Sequence, residues 1–406
     1  MYEELKKAYG TGADRYWLLN VGDIKPMELG IQTFMDMAWN MDSFSFENAY
    51  AHQAKLLAGL FGKSEAELTN LLDDYYRLAW SRKPEFMGWE YEWDDKEHTG
   101  LKATEFSFQN YGEAQKRLED YQQLSDQVER MSDGSAAYYE MLQFPVQAAY
   151  QMNRKFLMAQ LNQELAAKGR FAEANWAAKQ MEQAFDSIDA LNKRYNELLG
   201  GKWRHMMTLP TGWCALYHQK PEVIVTDGVG EEAVNLRQLV VHQHATDCTS
   251  LELSAYCTKA GDVSLIKGLG YDGQVLQLGL PLSNNQATVS YQLPAILADS
   301  IEVTIYSVPF WPLYAGKSNA VSISVDNGQP QVFENRFKEY DRTWKDQVMR
   351  NGAIGRLRFA LDPKRASHTI SFSAIDGGQM LQRILVDWGG AQKSYLGPQP
   401  KQAIHE

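Results

Sequence analysis

The sequence predicts a multidomain α+β chain in three parts: a short α/β unit over residues 1–45, an antiparallel helical bundle over 46–220, and an antiparallel β-sandwich over 221–406. Three observations predict it. A short apolar run between turn signals precedes an amphipathic helix near the start, helical periodicity then dominates to about Gly201, and alternation with period two takes over near Pro221.

The first part opens with a short helix over Glu3 to Tyr9, stopped by Gly10 and Gly12. Arg15 to Val21 (RYWLLNV) is too short for a helix and apolar throughout, which suits a buried parallel strand ending in Gly22-Asp23. From Met27 to Trp39 apolar residues recur at helical spacing, with Pro26 where a first-turn proline belongs.

Five apolar-periodic runs between Phe46 and Gly201 predict about five helices joined by short breaks, and Ser64 with Glu67 forms a capping box at the start of the second. One break is long. Its aromatic and charged composition between Trp80 and Asn110 argues for function or an interface rather than disorder.

In the last part, runs such as EVIVTD, LRQLVVHQHA, ATVSYQL, SIEVTIYSV and HTISFSAI are separated by turns such as Asp326-Asn327-Gly328 and Asp376-Gly377-Gly378. Ten or so short strands of this kind predict a sandwich.

Composition narrows the function classes. A chain of 406 residues with 44% hydrophobic and 22% charged content can bury more than one core. The net charge of −11, carried mainly by the first half, repels nucleic acid and acidic membrane surfaces. Cys214, Cys248 and Cys257 are too few for a disulfide framework and lack CxxC spacing, and a Cys248–Cys257 bridge would require an oxidising compartment. The N-terminus carries no signal-peptide pattern, and no run of about 18 apolar residues is present.

Three stretches stand out in residues and in order: Ala13 to Glu28 (ADRYWLLNVGDIKPME) running on to Asn40; Tyr75 to Met87 (YYRLAWSRKPEFM), supported by Phe144 to Ala149 and Gly201 to Met207; and Ile384 to Gly390 (ILVDWGG) with Ser394 to Pro398. Together they resemble glycoside hydrolase family 115, the xylan α-1,2-glucuronidases. The resemblance implies that residues 1–45 are the terminal part of a (β/α)₈ barrel, so the expected architecture is a partial barrel remnant, then bundle, then sandwich. One or two strands cannot close an eight-stranded ring. The expectation is therefore a C-terminal portion of an α-glucuronidase that is inactive alone, with the principal catalytic acids upstream of Met1.

The resemblance further implies glucuronoxylan or its oligosaccharides as substrate, an inverting mechanism, a homodimer through the helical region and no cofactor. It also implies a periplasmic or secreted setting for intact members. The competing reading is a non-catalytic carbohydrate-binding or assembly module.

Barrel active sites gather at the C-terminal ends of strands, which places Asn20, Asp23, Lys25 and Glu28 as candidate substrate-binding residues. Asn20 can both donate to and accept from sugar hydroxyls, Asp23 can accept or exchange a proton, and Lys25 is a cation for a uronate carboxylate. The plainer alternative is that Asp23 caps the helix after it and Glu28 complements the helix dipole. Phe86, Trp89, Tyr91 and Trp93, with Arg82 or Lys83, could face a sugar or simply pack helices. His242 and His244 near Asp247 would share one side of a strand, but two imidazoles do not make a metal site, and none is expected. His205 reads as an ordinary histidine. Trp311, Trp344 and Trp388 could line a sugar-binding face or fill the sandwich core.

Overall fold

The computed structural model describes residues 1–22, 24–83, 105–208, 219–240, 247–281, 286–312, 314–335 and 338–400. Cys214, His242, His244, Asp23 and the Phe86–Trp93 aromatics lie outside the described residues. The chain divides into two compact units, one of residues 1–18, 36–50 and 244–406, the other of residues 19–35 and 51–243.

The second unit is helical. Helix α2 (Glu28–Trp39) opens in it, and α3 (His52–Phe61), α4 (Glu65–Ser81), α5 (Glu113–Arg130), α6 (Ala136–Tyr138), α7 (Phe144–Ala167) and α8 (Phe171–Gly201) follow. Ser64 caps α4 as the sequence implies, its hydroxyl accepting from the Glu67 N–H at 3.4 Å. A core of Leu57, Leu68, Leu71, Tyr121, Leu124, Val128, Tyr138 and Leu142 joins α3, α4, α5 and the segment ahead of α7. Between α6 and α7, Tyr139–Gln143 winds as a π-helix.

The buried Arg117 of α5 closes the end of α4. Its guanidinium donates to the Leu78 carbonyl at 2.6 Å, the Ser81 hydroxyl at 3.0 Å, the Arg82 carbonyl at 2.8 Å and Asn153 Oδ1 at 2.7 Å. Helix ends leave carbonyls unpartnered, and this one cation meets two of them.

The first unit holds two antiparallel sheets, after helix α1 (Tyr2–Gly10) at its start. Its strands are β1 (Cys248–Ser250), β2 (Thr258–Ala260), β3 (Val263–Lys267), β4 (Gln274–Leu278), β5 (Thr288–Leu293), β6 (Ser300–Ser307), β7 (Ala320–Val325), β8 (Gln331–Glu334), β9 (Ala353–Ala360), β10 (His368–Ala374) and β11 (Gln379–Asp387). One sheet has the order β3-β4-β11-β6-β9, with β1 also on β11, and the other β2-β5-β10-β7-β8. Val303, Ile305 and Ile384 from the first sheet and Tyr291, Ile323 and Phe372 from the second share one core. This is how two half-apolar sheets bury their faces.

Helix α9 (Arg342–Arg350), capped by Asp341 accepting from the Trp344 N–H at 2.7 Å, interrupts the strands and was not anticipated from sequence. Trp388 packs on the shared core, whereas Trp311 is exposed. Cys248 and Cys257 are both free thiols, the first buried and the second exposed.

Four readings of the sequence are corrected. Residues 15–21 are not a strand: none of the described strands pairs with them, and Tyr16 and Leu18 are 79% and 77% exposed. A strand's N–H and C=O groups need a ladder neighbour, and this apolar run has none among the described residues. The following helix begins at Glu28, with Pro26 in the turn before it.

EVIVTD is not a strand either. Its backbone is satisfied by asparagine side chains of the helical unit: Asn162 exchanges bonds of 2.7 and 2.8 Å with Ile224, and Asn175 bonds of 3.0 and 3.1 Å with Thr226. LRQL turns as a 3₁₀ helix over Leu236–Leu239. Among the described residues the first strand begins at Cys248.

Candidate functional site

The sequence-predicted residues Lys25 and Glu28 meet in the helical unit, and the structure adds three more. Lys25 leaves the turn ahead of α2, where its bond to Pro26 is cis. Its ammonium pairs with the carboxylates of both Glu28 and Glu140 and lies 4.3 Å from the centre of the Trp203 ring. These side chains are largely withdrawn from water, at 14% exposure for Lys25, 26% for Glu28 and 8% for Glu140. Tyr195 is fully buried beside them, and its phenol is held well above the usual range, first by burial and then by the Glu28 charge.

Each group is placed by a local feature of its element. Glu28 is the first residue of α2, where a carboxylate also complements the helix dipole, so this reading of Glu28 and its place in the cluster hold together. Glu140 sits in the π-helical turn, a wide turn that redirects side chains from the ordinary helical face.

Trp203 follows a break in α8, where Leu199 (φ 53°) and Gly200 (φ 69°) adopt left-handed backbone. The turn after the break is tied down by Asn196, which exchanges bonds of 2.9 Å with both backbone groups of Met207. Tyr195, one residue earlier, stacks 4.8 Å from Phe144.

The arrangement has a definite chemistry. Two carboxylates share one ammonium, and Lys25 and Lys202, at 4.3 and 4.7 Å from the Trp203 ring centre, both gain from the indole face. Besides Glu140 Oε1, which the Lys25 ammonium meets as an ion pair, three polar atoms of these residues are buried without a hydrogen-bond partner: Glu28 Oε2, the Tyr195 hydroxyl and Trp203 Nε1. An acceptor, a donor and a hydroxyl that does either form the set that a hydroxylated guest or water would satisfy. Left empty, each costs about 1–3 kcal/mol.

Both glutamates are engaged by the one ammonium, which takes up an acceptor position on each. Lys25, already matched by two carboxylates, is not a free cation waiting for a uronate.

The other predicted residues do not join this cluster among the described residues. Asn20 is exposed, Asp23 lies outside the described residues, and His205 is an exposed turn residue with positive φ (67°). Arg82 is buried, with its guanidinium 4.4 Å from the Phe106 ring centre. Glu140, Tyr195 and Trp203 were missed as site residues. Trp203 belongs to the Gly201 to Met207 motif, whereas nothing in the helical pattern around Glu140 signals a π-turn. Among the described residues no cluster of metal-ligating side chains forms, and no helix is long and apolar enough to cross a membrane.

Two family models match the chain: glycosyl hydrolase family 115 over residues 1–86, and the glycosyl hydrolase family 115 C-terminal domain over residues 271–400. No curated protein matches it. A solved family GH115 4-O-methyl-α-glucuronidase, with specificity for decorated arabinogalactans, is 30% identical at a TM-score of 0.79 and covers 96% of this chain. The match takes in 48% of that protein, so the chain spans about half its length. An exo-β-1,3-galactanase from Phanerochaete chrysosporium is 18% identical at a TM-score of 0.26, over 38% of this chain and 32% of its own. A family 35 carbohydrate binding module from Clostridium thermocellum is 14% identical at a TM-score of 0.26, over 34% of this chain and 98% of its own. These last two likenesses are too slight to bear on function.

Proposed function

Because the chain belongs to glycoside hydrolase family 115, we propose that it serves the removal of (4-O-methyl)glucuronic acid side chains from xylan, as the C-terminal portion of an α-glucuronidase. The observation that carries this reading is the continuous likeness, over 96% of the chain, to a 4-O-methyl-α-glucuronidase of twice its span. Residues 1–45 would be the terminal part of the barrel, 46–220 the helical domain and 221–406 the sandwich domain. The run of Tyr16 to Val21 supports the first assignment: it joins none of the described strands and leaves Tyr16 and Leu18 exposed, as a segment that a barrel sheet would cover.

In this proposal Asn20, Asp23, Lys25 and Glu28 form part of the sugar-binding wall. Lys25 acts by position: paired to Glu28 and Glu140, it fixes the turn after Asn20 rather than neutralising the uronate itself. The unpartnered Trp203 and Tyr195 groups then offer polar contacts beside that wall. The proton donor and the base of the hydrolysis come from elsewhere in the intact enzyme, so this chain by itself does not hydrolyse.

Incubating the purified chain with glucuronoxylan, and separately with a glucuronic acid-decorated arabinogalactan, tests the proposal. No release of free (4-O-methyl)glucuronic acid is expected from either. Release at an enzymic rate would show a complete hydrolytic centre and end the proposal. Self-association through the helices is part of the same reading, supported by the exposed Leu60, Tyr76 and Phe171, and light scattering should return twice the monomer mass.

A further inference from the structure

Strand β11 carries two short partners on one edge. Strand β4 lies opposite Gln379 to Leu381, and β1 lies opposite Leu385 to Asp387. The two do not meet, so Gln382 and Arg383 face no strand there. Just past β1, the Leu251 N–H reaches back to the Ile384 carbonyl at 2.9 Å, which fixes one lip of the gap.

The gap opens into a cavity of about 280 Å³. Small-molecule sites run from about 300 to 1,000 Å³, so this one holds a single ring and little more. Its walls divide by chemistry. Leu251, Leu253 and Pro400 supply apolar surface, and Glu252, Asp272, Gln274, Gln399 and Arg383 supply polar groups.

The polar wall is held in place before any ligand arrives. Arg383, 2% exposed, donates to both Asp272 oxygens at 2.5 Å and to the Leu396 and Gly397 carbonyls at 2.7 and 3.1 Å. Its Nε–H is buried without a partner. Glu252 Oε1 accepts from the Ser254 hydroxyl at 3.1 Å and from Gln274 Nε2 at 3.3 Å. The fully buried Gln382 is anchored on the Asn351 carbonyl at 2.7 Å. Groups fixed in this way lose little freedom when they bind.

We infer that this gap in the sheet is a binding subsite for one neutral sugar ring. Two carboxylates against one guanidinium leave the lining with one negative charge, which disfavours an anionic uronate and suits hydroxyl donors. Carboxylate and amide groups can share those hydroxyls, and the two leucines with Pro400 can take the apolar face of a pyranose. The subsite thus fits the neutral main chain of a polysaccharide rather than its acidic side group. The choice of a sugar among neutral polyols rests on the polysaccharide reading above; the cavity and its charge do not.

The test is calorimetric titration of the full chain with methyl β-D-xyloside, methyl β-D-galactoside and sodium D-glucuronate. At least one neutral glycoside is expected to bind with a millimolar Kd, and glucuronate at least about tenfold more weakly. Glu252→Gln keeps the shape but removes a charged acceptor, and should weaken neutral binding about tenfold, as losing a hydrogen bond to a charged group does. Gln399→Ala, on an exposed residue, should weaken it less. Both variants should melt with the parent, which separates lost binding from lost folding.

Binding of neither neutral glycoside, glucuronate binding as tightly as they do, or an unchanged affinity in Glu252→Gln would each overturn the assignment. None of these outcomes touches the hydrolytic reading, which is judged by uronic acid release.

Discussion

A lysine held between two glutamates and an indole has more to lose than a surface ion pair. In Lys25→Met the buried carboxylate of Glu140 and the partly exposed one of Glu28 lose their common counter-charge, and breaking such a pair costs up to about 3–5 kcal/mol, the upper end belonging to full burial. Adding Glu28→Gln and Glu140→Gln to the same chain should recover most of that loss, because the burdensome element is the unpaired charge and not the missing amine. Urea unfolding of the single and triple variants measures both. A single variant as stable as the parent would show the cluster to be solvated.

The Asp326 turn gives a second residue-scale prediction. Burial alone would raise the Asp326 carboxyl, but donation from His368 at 2.7 Å and from the Thr369 N–H at 2.9 Å, with Arg365 nearby, holds it below the usual carboxylate range. A carboxyl depressed on folding stabilises above its unfolded value, near 4, and that stability is lost as pH falls through the lower folded value. Asp326→Asn should therefore lower the melting temperature at neutral pH, and the gap to the parent should narrow as the parent titrates below about pH 4. A gap independent of pH would contradict the linkage.

This turn was legible beforehand. Asp326-Asn327-Gly328 reads as a hairpin signal, and both central residues indeed have positive φ, at 52° and 58°. The contacts around Lys25 were legible only in part, because Glu28 is one helical turn away in sequence, whereas Glu140 reaches it through a π-turn that leaves no mark on the apolar pattern.

At the scale of elements, three asparagines on α7 and α8 do what a neighbouring strand would do. Asn162, Asn175 and Asn196 each accept from one backbone N–H, of Ile224, Thr226 and Met207, and donate to that residue's carbonyl, Asn162 reaching the Ala174 carbonyl and Asn175 the Val229 carbonyl as well. A side-chain amide has the same donor and acceptor as a peptide group, so it can serve as a single rung of a ladder.

This explains why EVIVTD reads as a strand and is not one. Alternation reports that a segment is extended and half-buried, and is silent on whether its rungs come from a strand or from a helix surface. The same ambiguity applies to Tyr16 to Val21, an apolar run that pairs with no described strand. By contrast, β10 alternates buried and half-buried residues along its whole length, and there the pattern and the ladder agree. Asn162→Ala removes two bonds to Ile224 and should cost about 1–3 kcal/mol. By NMR hydrogen exchange the Ile224 amide should lose protection while Thr226, held by Asn175, keeps it; equal loss at both would show that the segment is not clamped rung by rung.

For the molecule as a whole, the division into two units follows from where apolar side chains find partners. The helical unit has a core built around Leu57, Leu71 and Tyr121, and the sheet unit has another built around Ile323, Val303 and Phe372. Residues 1–18 and 36–50 belong to the sheet unit although they lie far from its strands in sequence. Met37, Met41 and Phe44 cluster there with Tyr2, Leu5 and Trp17, and Glu3 accepts from Gln277 on β4 at 3.4 Å. Such a return of the chain start to a distant domain has no periodic signature, which is why sequence order does not disclose it.

Two cores imply two separable responses to a cavity. Leu57→Ala and Ile323→Ala each delete a fully buried branched side chain, a change that costs about 2–5 kcal/mol with a cavity term that depends on local relaxation. Hydrogen exchange read by mass spectrometry should then show Leu57→Ala loosening peptides from α3, α4 and α5 while those of β5, β7 and β10 keep their protection. Ile323→Ala should do the reverse, because stability is lost first within the cooperative unit that holds the cavity. If either substitution releases both sets of peptides together, the two cores unfold as one body and the division has no energetic meaning.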